Sequence, residues 1–198
     1  MRLPNNGILI LLASMMAGNG FAANPPRTFQ ARLTGNEEVP PVGGTRTVAQ
    51  AMFRFNPGFT RLTFTFRLRK GLDITEVHLH CGPRGSNGPI VLPLFGLIGP
   101  ASAPLLNSLA GGMNGTVEVS ATLTSASLNP SAACGSNMAG SLNTLSGLAR
   151  AMRNQQIFIN AHSLTGQAGI IRGQVRMSAT PVISDGSNNA GGGGASGY

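Results

Sequence analysis

The alternation of apolar and polar positions is clearest over residues 59–70, where Leu62, Phe64, Phe66 and Leu68 are interleaved with Arg61, Thr63, Thr65, Arg67 and Arg69. A period of two sends these sets to opposite faces of a strand, one buried and one basic. Shorter runs read the same way: 27–34 around Phe29, Ala31 and Leu33; 45–55, with a possible bulge; and 113–124 through Val117, Val119 and Leu123. Residues 170–177 form the last strand, and Gly173 inside it predicts a bulge or a close backbone approach. Pro93 places strand 90–95 near an edge. Turn formers separate these runs. Pro40 and Pro41 exclude 35–42 from a central strand, Asn56-Pro57-Gly58 closes a hairpin, and Gly71-Leu72-Asp73 predicts a turn. Loops are expected at 82–89 and 125–140, and a long connection at 96–112. Only 142–155 has helical spacing, in Leu142, Leu145, Leu148, Ala149 and Met152, with Ser141 as the expected cap and Arg150 and Arg153 in the last turns.

Two further runs carry the candidate chemistry. In 74–81, Val77, Leu79 and Cys81 alternate with Glu76, His78 and His80; in 156–163, His162 ends a second alternating run. One face of the first strand is thereby expected to pack and the other to present two imidazoles to ligands. With His162 beside them, three ring nitrogens would suit copper or zinc and leave a fourth position open. The alternative is three hydrogen-bonded histidines at separate rims. Glu76 shares the face of His78 and would orient a ligand as an outer-shell partner, or stand as a solvated carboxylate. The remaining acids, Glu37, Glu38, Asp73, Glu118 and Asp185, show no acid/base spacing, so no catalytic residue is assigned and a non-enzymatic chain is expected.

Composition sharpens the class. With 28 glycines, 13 prolines and 5% aromatic residues in 198, the chain reads as one all-β domain with a short helix. Residues 1–22 read as a secretory signal, from Arg2 through apolar 7–17 to Gly20-Phe21-Ala22. That apolar run is too short for a membrane span, and no later segment reaches the length required. Residues 183–198 have the composition of a disordered Gly-rich tail, which leaves 27–182 as the domain. A secreted, extracellular or periplasmic location permits disulfides, and Cys81 and Cys134 have only each other. The bond would close a loop of about 54 residues and stabilise by roughly 4 kcal/mol. The competing role, Cys81 as a metal ligand beside His80, meets the objection that alternation aims it at the opposite face.

The formal charge is +8, and Lys70 is the sole lysine among 14 basic residues. Such a chain is drawn to anionic surfaces. Dispersed arginines and few aromatics exclude a nucleic-acid reading. The expected partner is an extracellular protein or an anionic polymer.

Four separated blocks resemble the CHRD (chordin-type) domain family: 33–42 (Leu-Thr-Gly-Asn-Glu-Glu-Val-Pro-Pro-Val); 74–80 with Gly82-Pro83 and 87–91; Ala151-Met152-Arg153-Asn154; and Ile159-Asn160-Ala161-His162 with 169–174. The resemblance implies an antiparallel β-sandwich or Greek-key barrel and a secreted, non-enzymatic binding module, with a three-histidine metal site as an optional feature. The alternative is a copper- or zinc-handling or redox protein built on His78, His80 and His162. The histidine strand also resembles that of copper/zinc superoxide dismutases, but their site needs more histidines than the 3 present. The chain departs from the family at Ile170, where an acidic residue is common, and in a longer 96–112 region. The first departure removes a carboxylate near Arg172.

Overall fold

The computed structural model describes residues 26–96, 112–129, 132, 134 and 142–178. The expected signal segment 1–22, most of the 96–112 connection, the Ser141 cap and the tail 183–198 lie outside them. Among the described residues, eight strands and one α-helix follow in chain order: β1 (Thr28–Leu33), β2 (Val48–Phe55), β3 (Leu62–Cys81), β4 (Ile90–Phe95), β5 (Met113–Leu123), α1 (Leu145–Arg153), β6 (Ile157–Ser163), β7 (Ile171–Gln174) and β8 (Arg176–Met177).

The fold is all-β, antiparallel and nearly closed into a barrel, with β3 as its spine. The first half of β3 pairs with β2 and β5, and its second half with β6 and β4. The turn expected at Gly71-Leu72-Asp73 is absent. Lys70 and Asp73 take left-handed φ values of 53° and 49°, and the ladder to β5 shifts register on either side of Gly71. The chain bends without reversing because β5 runs alongside the irregularity, pairing Leu62 with Leu123 before it and Ile74 with Met113 after it.

Closure comes from the last strand. Residues of β7 pair with β6, the chain passes Val175, and β8 pairs with β1. A bridge between Thr34 and Arg172 joins the same two ends. Gly173 marks a close backbone approach, since a Cβ there would run into the Arg32 carbonyl. The core is filled by the inward sets that alternation identifies, including fully buried Phe29, Phe53, Phe66, Leu68, Leu79 and Ile159. α1 begins at Leu145, later than expected, because the Thr144 hydroxyl accepts the Gly147 N–H at 3.1 Å and caps the helix there. Its buried residues, Leu145, Leu148 and Met152 among them, pack into the core, and it delivers the chain to β6.

Candidate metal centre

Three strands in register build the site. His80 pairs with Phe158 and Phe158 with Gln174; His78 pairs with Asn160 and Asn160 with Arg172; Glu76 pairs with His162. The period of two places all of these on one face, while Val77, Leu79, Ile159 and Ala161 enter the apolar core on the other. Cys81 also faces the core, at disulfide distance from Cys134, with Cα atoms 5.9 Å apart.

The histidine face was expected to be open, and it is not. His78 is 1% exposed, and His80 and His162 are 9% each. Two loops cover the sheet here. Asn87 Nδ2 in the 82–89 loop donates to the Val39 carbonyl of the 35–42 loop at 2.8 Å, and Arg172 ties the first loop to the sheet beneath.

The three rings converge. Centroid separations are 4.9 Å for His78 and His162, 5.8 Å for His78 and His80, and 6.1 Å for His80 and His162. One nitrogen from each ring lies within 4.8 Å of the others, a group able to hold a metal ion. His80 Nδ1 is 2.9 Å from the Gly88 carbonyl and His162 Nδ1 is 2.7 Å from that of Gln167. A carbonyl only accepts, so both Nδ1 atoms donate, and the Nε2 atoms are the ones left to face the cluster. His78 Nδ1 is 3.2 Å from His162 Nε2, within hydrogen-bond distance. The Nε2 atoms of His78 and His80 are buried and make no hydrogen bond.

Electrostatics keep two of these rings neutral. Burial, with the neighbouring His162 and His80, lowers the pKa of His78 to about 3. Burial lowers that of His80 to about 4 against the opposing pull of the Gly88 hydrogen bond. Both are therefore unprotonated at neutral pH, the form a metal requires. Glu76 stands partly exposed at the mouth, its Oε2 3.6 Å from His78 Nε2.

The CHRD domain family matches residues 29–175, a span containing both histidine strands and both cysteines. The chain belongs to the CHRD family. No curated protein and no solved structure matches it.

Beside the histidines the CHRD domain buries a second polar group that sequence reasoning did not assemble. Asn160 Nδ2 donates to both Glu38 oxygens, at 3.1 and 3.0 Å. Burial raises the Glu38 pKa to about 7, opposed by the positive charge of Arg172. Arg172 donates to Asn87 Oδ1 at 3.1 Å and to the Pro83 and Ser86 carbonyls at 3.3 and 2.7 Å. The carboxylate lost at Ile170 is thus not needed to satisfy Arg172, which the covering loop holds instead. A readable signal existed: Asn160, Arg172 and Gln174 are polar residues of histidine-face parity in otherwise apolar runs.

Proposed function

We propose that this CHRD domain is a secreted, non-enzymatic extracellular module that carries one copper or zinc ion on His78, His80 and His162. The observation that carries the reading is the pair of buried, unpartnered Nε2 atoms on His78 and His80 in a cluster of three convergent imidazoles. A buried polar atom without a partner costs stability, and a bound cation would satisfy both at once. Backbone carbonyls at the Nδ1 atoms of His80 and His162 are the outer-shell support that metal-binding histidines ordinarily have. Three nitrogens leave a fourth position for water, with Glu76 at the mouth to orient it. The cysteine pair supports an oxidising compartment.

The test is metal analysis of untagged, chelator-treated protein titrated with copper and with zinc. Roughly one ion per chain is expected, lost in the His78→Gln/His80→Gln/His162→Gln variant. Uptake that this variant leaves intact, or folded wild-type protein that retains neither metal, rejects the reading.

A further inference from the structure

We propose that the exposed outer face of the β8–β1–β2–β3–β5 sheet binds a linear anionic polysaccharide through an array of arginines. The inference rests on the reading of the domain as an extracellular module and is independent of the metal centre.

Register assembles the array. Arg32 pairs with Gln50, Gln50 with Arg67, and Arg67 with Glu118, across four strands. In the adjacent row Arg176 pairs with Gln30. Arg54, on β2, and Arg69, on β3, share the parity of these residues and point the same way. All five arginines are exposed, whereas the alternate positions, such as Ala31, Phe53 and Phe66, form the core. With strands about 4.8 Å apart and same-face residues about 6.8 Å apart, each arginine lies roughly 7–12 Å from the next. The array is therefore two-dimensional and rigid, although the five residues are scattered from 32 to 176 in the sequence.

Only Arg67 of the five has its charge met within the described residues. Glu118 is the one acid in the paired rows, engaging Arg67 at 2.8 Å, and among the described residues no carboxylate pairs with the other four. A groove of about 740 Å³ runs over the β8–β1–β2 part of this face, lined by Arg32, Arg176, Gln30 and Gln50, with an Arg84–Glu37 ion pair at its side.

The chemistry selects the occupant. Guanidinium forks match carboxylate and sulfate groups in bidentate geometry, and the intervening glutamine amides match sugar hydroxyls. A protein partner would ordinarily be anchored by a buried aromatic or aliphatic hot spot, and among the described residues the exposed large hydrophobics on this face are only Met52 and Met177. The face has no aromatic residue to stack nucleobases. A polar, cationic sheet face suits an extended polymer with regularly repeated negative charge.

The experiment measures binding of the full secreted chain to heparin and to polygalacturonate at about 0.1 M salt. Binding to one or both is expected, and the pair distinguishes sulfate from carboxylate recognition. Each single variant Arg32→Gln, Arg54→Gln and Arg176→Gln weakens it about two- to fivefold, and the triple variant about ten- to a hundredfold. Arg150→Gln, on α1, removes the same charge elsewhere and leaves binding within about twofold, and thermal melts confirm that each variant is folded. The triple histidine variant binds as wild type does, so failure of the metal reading leaves this one standing. No binding to either polymer, an Arg150→Gln loss equal to that of the face variants, or preference for phosphatidylglycerol vesicles over both polymers overturns it.

Discussion

The guanidinium carbon of Arg172 lies 3.5 Å from the centroid of the Phe158 ring. The same ring stacks on His80 at 4.9 Å with 9° between planes, so one aromatic side chain separates the buried cation from the histidine cluster. Arg172 is 2% exposed and bonds three acceptors in the 82–89 loop, whose Gly88 carbonyl fixes His80.

Arg172→Ala should therefore destabilise the domain by about 3–5 kcal/mol, because it leaves Glu38 buried without its countercharge and three acceptors unpaired. Urea denaturation measures this. Arg172→Lys should recover only part of the loss, since an ammonium cannot reproduce the planar fork. A destabilisation below about 1 kcal/mol in Arg172→Ala would show that the loop is held by other contacts.

Gly88→Ala places a methyl group against the Cys81 carbonyl. The backbone that must move also carries the Gly88 oxygen on His80. The variant should lose about 2 kcal/mol or more of stability. Its metal affinity should fall about 10–100-fold, as when an outer-shell partner is removed. Gly43→Ala is the control, with open space around its Cβ, and should be neutral or slightly stabilising. Competition titration with a chromophoric chelator compares the two.

Stability of the metal-free protein should depend on pH through two opposed effects. His78 and His80 have folded pKa values of about 3 and 4, below the ordinary 6.5, so between pH 6.5 and 4 the unfolded chain binds two protons that the folded one does not. Stability from this source is lost as pH falls. Glu38, raised to about 7 from 4.5, acts in reverse, and its contribution is lost as pH rises from 4.5 through 7. The net is one proton, so stability should fall by about 1.4 kcal/mol per pH unit between pH 6.5 and 4.5. Denaturant midpoints across that range read the slope, and Glu38→Gln should steepen it. A flat profile in the wild type would mean that the histidines are solvated.

Reduction of the Cys81–Cys134 pair should lower stability by about 4 kcal/mol, the loop-closure value for about 54 residues. Because Cys81 faces the core and the histidines face the loops, metal uptake by reduced but folded protein should be unchanged. Denaturation with and without phosphine reductant, followed by metal titration at low temperature, separates the two effects. Loss of uptake on reduction would contradict the assignment of opposite faces.

The sequence by itself determined what a period of two can encode. It placed Leu62, Phe64, Phe66 and Leu68 inside with their arginines outside, put His78 and His80 on one side of a strand and Cys81 on the other, and carried the blocks that mark the CHRD family. Each of these follows from local alternation or from residue identity. Tertiary structure alone decided where His162 arrives, because the pairing of Glu76 with His162 is a register between segments 86 residues apart, held by core contacts such as the Leu79–Ile159 pair. It also decided that Gly71-Leu72-Asp73 bends within one strand, since β5 supplies partners on both sides of the irregularity. Coverage of the histidines depended likewise on long-range contacts, from Asn87 to Val39 and from Arg172 to Ser86. Alternation says which face a side chain takes. It cannot say what will be packed over that face, and that burial leaves His78 and His80 neutral with their Nε2 atoms unpartnered.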